Sequence, residues 1–307
     1  MIDWGLCCLF LNEDLKFRTT RYSFLQKKSR LEQLAILSGI CRDNSQTLLQ
    51  TLQRLPALNI QAFRISSELF PLYTHPYAGY PLHQLPDGEE ILQNFAECRA
   101  VAKRLSIRLS LHPDQFVVLV SPHEAVLKSS LAELEYQLVL AELSGAEEIN
   151  LHLGGSYGDK AAAMARFEKV FEGLSEGLQQ RLTLENDDVS YTVSDLLPIC
   201  RHLQIPLVYD VHHHRCLPDE LTIPQASQAA AETWKSRKIP PHFHLSSPKN
   251  SWSGTPLRSH ADYIDPEDFP SCWHDFDRLC IDVEAKAKEL AIAKLQKKMA
   301  HQAKPAK

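Results

Sequence analysis

Residues 207–214 read LVYDVHHH: a short apolar run closed by Asp210 and followed at once by imidazoles. The same construction recurs along the chain. It appears at Leu109–His112 (LSLH), Ile149–His152 (INLH), Leu182–Glu185 (LTLE), His242–His244 (HFH) and Ile281–Glu284 (IDVE). Runs this short and apolar predict buried parallel strands. Trp4–Cys8 and Ala62–Ile65 (AFRI) read as two further strands. Between them, helical apolar spacing predicts helices over Leu31–Leu55, Glu89–Leu105, Glu124–Leu143, Lys160–Leu178, Val193–Leu203, Pro224–Trp234 and Asp268–Arg278. Strict strand–helix alternation predicts a parallel sheet. Eight such repeats favour a closed barrel over an open sheet. The fold class expected is α/β, a single TIM (β/α)8 barrel over residues 1–290, with a basic C-terminal helix or tail over 291–307.

The bulk numbers agree. A chain of 307 residues with 44% hydrophobic content buries a large core. No apolar stretch approaches the roughly 20 residues that span a bilayer. The start, MIDWGLCCLFLNEDL, lacks a basic segment before its apolar run, so a first strand is expected there, not a signal peptide. The eight cysteines show no CxxC pair and no disulfide-like spacing, which suits a reducing cytoplasm. The net charge of -5 does not advertise a nucleic-acid binder, but bound cations can offset acidity locally.

In a barrel, the polar residues at the C-terminal ends of the strands carry the chemistry. His112, His152, Glu185, Asp210, His244 and Glu284 all stand at such ends. One His in an apolar run is usually a satisfied core residue. Six ionisable groups converging on one end of a barrel are costly to bury without a cation, because each loses solvation and like charges repel. Imidazoles mixed with carboxylates suit Zn, Mn or Fe. Asp210 and His213 can serve neighbouring metals if His213 turns back from the loop after the strand. His260, in LRSHADYI, is a further candidate ligand. Two long connections, the Pro-rich Phe70–Pro86 and Ser246–Pro266, follow strands and should contact substrate. His112-Pro-Asp-Gln-Phe presents Gln115 and Phe116 directly after a ligand. They read either as a turn with Phe116 packed inward or as a wedge that enters a base stack while an amide fills the gap.

The ordered set FRISSELFPLYTHP, LSLHPDQFV, LHLGGSYGDK, LENDD, VYDVHHH, FHLSSPK and VEAKAKE resembles the UV-damage endonuclease family, a relative of endonuclease IV and the xylose-isomerase-like barrels. The resemblance runs from the first strand through Glu284. It implies two to three divalent metals, Mn above Zn, Mg or Co. It implies nicking of damaged double-stranded DNA 5′ of UV photoproducts, and of abasic or other distorting lesions, leaving a 3′-hydroxyl and a 5′-phosphate. By motif, His112, His152 and Glu185 resemble the ligands of one metal. Glu185, Asp210, His244 and Glu284 resemble those of a second, and His213 and His260 those of a third. His75 resembles a site-facing family histidine. Gln115 and Phe116 are similar to a Gln–Tyr pair that probes the duplex, and Asn12 to an N-terminal Asn used in recognition. Phe116 lacks the family hydroxyl. His242 stands where the family has a lysine near the metals. Leu6 or Phe10 stands where it has an N-terminal tyrosine.

The chemistry expected is metal-assisted hydrolysis with Glu185 bridging two ions and Lys249 neutralising the phosphate. A xylose-isomerase-like sugar isomerase or epimerase would share barrel and metals, but needs neither the long Pro-rich loop nor the Gln–Phe pair. A monomer in the cytoplasm is expected. The tail lysines Lys286, Lys288, Lys294, Lys297, Lys298, Lys304 and Lys307 read as a solvated helix face or as a phosphate anchor.

Overall fold

The computed structural model describes residues 1–302. Lys304 and Lys307 lie outside the described residues. Eight parallel strands close into a barrel in chain order. They are β1 (Ile2–Cys7), β2 (Ala62–Ile65), β3 (Arg108–Leu111), β4 (Glu148–His152), β5 (Leu182–Glu185), β6 (Leu207–Asp210), β7 (His242–Leu245) and β8 (Leu279–Val283). The helices are α1 (Tyr22–Leu25), α2 (Arg30–Arg54), α3 (Gly88–Leu105), α4 (Glu124–Ser144), α5 (Lys160–Glu172), α6 (Glu176–Arg181), α7 (Val193–Leu203), α8 (Val211–Cys216), α9 (Ile223–Thr233) and α10 (Glu289–Gln302).

Local chemistry explains most boundaries. Ser29 and Glu32 form a capping box that starts α2, as Thr192 with Asp195 starts α7 and Thr222 with Gln225 starts α9. Gly145 at φ 81° ends α4 in the left-handed conformation that glycine tolerates. Three expectations need correction. Lys160–Leu178 is two helices, because Gly173 ends α5 and Ser175 precedes α6. Asp268–Arg278 is not an α-helix. It holds two short 3-10 turns, Pro266–Asp268 and Ser271–Asp275, where Pro270 removes a backbone donor. Finally, His213 lies in a helix, α8, not in a loop: Asp210 caps that helix by accepting from the His213 N–H at 2.8 Å. The boundary expected at residue 290 falls inside α10, whose Ala291, Ile292 and Leu295 are buried against the barrel. All eight cysteines are free thiols.

Register sets the site. His152 pairs with Glu185, and Asp210 with His244, so potential ligands stand abreast on neighbouring strands. Side chains two apart on a strand share a face. Glu148 and Asn150 therefore lie below His152, Ser110 below His112, His242 below His244 and Asp282 below Glu284. This polar column fills the barrel axis. Gly5 pairs with Asp282, and a Cβ on Gly5 would fall on the Asp282 carboxylate, so the glycine makes room for a buried acid.

Candidate metal centre

Glu185 is buried at the middle of the site and draws imidazoles from four elements. His112 Nε2 is 3.1 Å away, His244 Nδ1 3.0 Å, His213 Nδ1 3.4 Å and His152 Nε2 3.7 Å. Asn150 donates to the same carboxylate. Burial alone would raise the Glu185 carboxyl, but His244 and His152 beside it hold it well below the usual range. His213 moves the other way. Burial disfavours its cation, yet Asp210 and Glu185 together hold its pKa well above that of a free imidazole.

The donor geometry fits cations. Two ligands about 2.1 Å from one tetrahedral ion lie about 3.4 Å apart. His244 Nδ1 lies 3.0 Å from Glu185, 3.5 Å from Glu284 and 4.0 Å from Asp210. His112 adds a sharper test. Its Nδ1 faces the Pro113 carbonyl at 3.1 Å, and a carbonyl only accepts. With a proton on Nδ1 serving that carbonyl, the Nε2 lone pair points at a Glu185 carboxylate oxygen. Two acceptors at 3.1 Å require a proton or a metal between them. The buried Asp210 Oδ2 has no hydrogen-bond partner, although it looks onto His213 and His244. Three groups of donors meet metal-binding spacing: His112, His152 and Glu185; Glu185, Asp210 and His213; and His242, His244 and Asp282.

Placement differs from expectation at several residues. His213 and His260 face different carboxylates, His213 Nδ1 lying 3.4 Å from Glu185 and 3.7 Å from Asp210. His260 lies 3.6 Å from Glu284, with the His212 ring on its other side at 5.3 Å between centroids. The His213 Nδ1 donates to the Asn186 carbonyl at 2.9 Å. His75 does not reach the cluster: its Nδ1 accepts from the N–H groups of Tyr77 and Ala78, and its ring lies on Tyr22 at 4.3 Å. Lys249 is exposed, and among the described residues only its backbone has a partner, the Ser259 carbonyl. Asn12 is exposed, with its N–H bound to Glu289 at 2.7 Å. Gln115 and Phe116 are exposed on a turn that Asp114 closes by accepting from the Phe116 N–H. Phe116 is 76% exposed, so it is not a core residue. Gln115 lines a cavity of about 620 Å³ with His112, His152 and His213.

Of the layer beneath the candidate ligands, sequence reading named His242 and missed the rest. Asp282 approaches His242 Nε2 at 3.2 Å, and His242 Nδ1 meets Glu148 at 2.8 Å. Arg108 completes that buried cluster through Glu148 at 2.9 Å. Arg64 reaches Asp282 at 3.0 Å, Glu284 at 2.7 Å and His244 Nε2 at 3.1 Å. Burial opposes a charge on His242, but Glu148 beside it holds its pKa well above the ordinary value. Asp282 stays ionised against burial because His242 and Arg64 flank it. The missed signal was period two. Each of Glu148, Asn150, His242 and Asp282 stands two or four residues before a ligand on its own strand.

Fold and donor set together define a class: an α/β barrel with a candidate polynuclear metal centre at the C-terminal ends of its strands. The sequence model described as UV-endonuclease UvdE matches residues 3–305, and the chain belongs to that family. A UV-damage endonuclease of Neurospora crassa is 38% identical over 256 residues, covering 78% of this chain and 37% of that protein. A UV DNA damage endonuclease of Bacillus velezensis is 32% identical over 289 residues, covering 91% of this chain and 87% of that one. The chain thus spans little more than a third of the fungal relative and most of the bacterial one. The crystal structure of SacUVDE superposes with a TM-score of 0.85 at 28% identity, covering 98% of this chain and 99% of that one. Endonuclease IV from Thermus thermophilus, at 16% identity and a TM-score of 0.58 over 83% of this chain and 94% of that one, shares the fold. Membership of the family makes the chain an endonuclease, which sets the sugar-isomerase reading aside.

Proposed function

We propose that this endonuclease nicks damaged duplex DNA immediately 5′ of UV photoproducts, and at abasic or other distorting lesions, leaving a 3′-hydroxyl and a 5′-phosphate. The observation that carries the reading is juxtaposition. Gln115, exposed on its turn beside Phe116, lines one open cavity with the imidazoles of His112, His152 and His213.

His112, His152 and Glu185 would hold one divalent ion, and Glu185, Asp210, His244 and Glu284 a second. His213 extends the Glu185–Asp210 group, and His260 stands at Glu284, where further ions would be held. Mn is our choice of metal, with Zn, Mg and Co compatible with the same donors. Bound there, such ions activate water near neutral pH and neutralise charge on the phosphate. The protein's own part is positional. Asn150 and the imidazoles fix the Glu185 carboxylate, and Arg64 orients Glu284. Lys249, exposed on the loop after β7, would meet a phosphate from solution. Gln115 and Phe116 test stacking: a damaged step opens at lower cost, so the wedge enters there first. Asn12 adds a contact from the rim.

The partner is damaged double-stranded DNA, acted on by a monomer in the cytoplasm. No helix among the described residues is long and apolar enough to cross a membrane. The test is direct. The protein is incubated with Mn and an irradiated, end-labelled duplex, and the ends are mapped. A cut 5′ of the lesion is expected. No cut, or equal cutting of unirradiated duplex, would refute the proposal.

A further inference from the structure

The connection from β1 to α2 carries a feature that the metal chemistry does not use. Between Lys16 and Arg30 stand six basic residues and no acid, in a chain whose net charge is -5. Lys16, Arg21 and Lys27 are exposed and have no anionic partner among the described residues. The others are engaged: Arg18 pairs with Asp43, Lys28 lies 5.0 Å from the Phe24 ring centre, and Arg30 donates to the carbonyls of Ala78 and Gly79. Of the acids around the segment, Glu13 is taken by Arg54 and Glu32 by the Ser29 cap, while Asp14 and Glu68 are exposed and form no ion pair among the described residues.

Aromatic rings interleave with these charges. Tyr22 lies against His75 at 4.3 Å and stacks on Tyr77 at 6.0 Å. Tyr77 is 76% exposed and Phe24 55%. Rings this open serve no core. The segment is nevertheless pinned. Glu289 accepts from the Leu11 and Asn12 N–H groups, and the Asn44 amide holds both the N–H and the carbonyl of Arg18. It also reaches the proposed lesion-probing turn. Thr19 and Thr20 share a cavity of about 370 Å³ with Asp114 and Phe116. The segment leaves from the C-terminal end of β1, the same end of the barrel that carries the metal donors.

Resting on the function proposed above, we infer that Lys16–Arg30, with the rings of Tyr77 and Phe24, forms a second DNA-contact surface. It would grip the phosphate–sugar backbone of the duplex that flanks the lesion. Lys16, Arg21 and Lys27 take phosphates, and the rings lie against sugars or a frayed base. A polyanion fits because three unpaired positive charges stand exposed on a pinned segment. Each phosphate neutralised releases counterions and adds about 0.9 to the slope of log affinity against log salt.

The experiment uses the full chain with Mn and an intact duplex over a salt series. In the triple variant Lys16→Gln, Arg21→Gln, Lys27→Gln, the slope should shallow by about 2 to 3, three contacts at about 0.9 each. Affinity for irradiated and intact duplexes should fall by the same factor. Tyr77→Ala should weaken binding with the slope unchanged, because stacking releases no ions. The control Lys16→Arg, Lys27→Arg should keep the wild-type slope, and melts should confirm folding. An unchanged slope in the triple variant overturns the inference. So does loss of binding to vesicles of acidic phospholipid with duplex affinity intact. Failure of wild type to cut irradiated DNA refutes the function proposed above, whereas the salt slope on intact duplex tests this surface independently.

Discussion

Phe116→Ala separates a wedge from a packing residue. The ring keeps 76% of its surface in water. A Phe side chain offers about 200 Å², so about 50 Å² remains for the folded state to lose. At about 25 cal/mol per Å² that is about 1 kcal/mol. A core Phe would cost about 3–5 kcal/mol. In a chain of 307 residues the smaller loss shifts Tm by under about 2 °C. Binding should respond more than stability. Stacking of an aromatic ring on a base is worth about 1–3 kcal/mol, or about 5- to 150-fold in the preference for irradiated over intact duplex. The assay pairs a thermal melt with competition binding of the two duplexes at fixed salt, and metal content is measured alongside. A melt lowered by the core amount would return Phe116 to packing. An unchanged melt with unchanged preference would remove it from recognition altogether.

Other expectations follow from the same geometry. Glu185→Gln removes the charge on which four imidazoles converge, so bound Mn should fall and nicking of irradiated duplex should drop by at least about 100-fold; full metal content with wild-type cutting would count against the assignment. Glu148→Gln breaks the buried pair with His242. Burial opposes ionisation of Glu148, but His242 and Arg108 pull its pKa down from 4.5 to about 2. A depressed carboxylate stabilises the fold fully above pH 4.5 and loses that contribution as pH falls toward 2. The contribution is about 3 kcal/mol, so urea melts of wild type should lose it across that window while the Gln variant starts lower at neutral pH and lacks that segment of the curve. Gly5→Ala puts a methyl on Asp282, so expression as folded protein should fall; a variant melting within about 0.5 kcal/mol of wild type would show that the interior yields there.

The sequence alone determined the architecture and most of the candidate metal donors. Strand and helix periods differ, so all eight strands and most of the intervening helices were legible, and β2, β5 and β6 have the expected ends. A ligand type at a strand's end is placed by fold class alone, because all parallel strands finish on one face. That is why His112, His152, Glu185, Asp210 and His244 could be gathered before any coordinates. Tertiary structure decided what depends on neighbours far apart in the chain. Whether Phe116 packs or projects is a matter of local burial, which a four-residue turn does not encode. His213 stands in α8 and His260 in the connection after β7, and only tertiary packing brings the first to Glu185 and Asp210 and the second to Glu284. The layer beneath the ligands joins Glu148, His242, Asp282 and Arg64 from four strands. Its charge balance exists only once the barrel closes. An isolated Glu or His reads as a surface residue, and burial beside its partner is what turns each into a fixed ion.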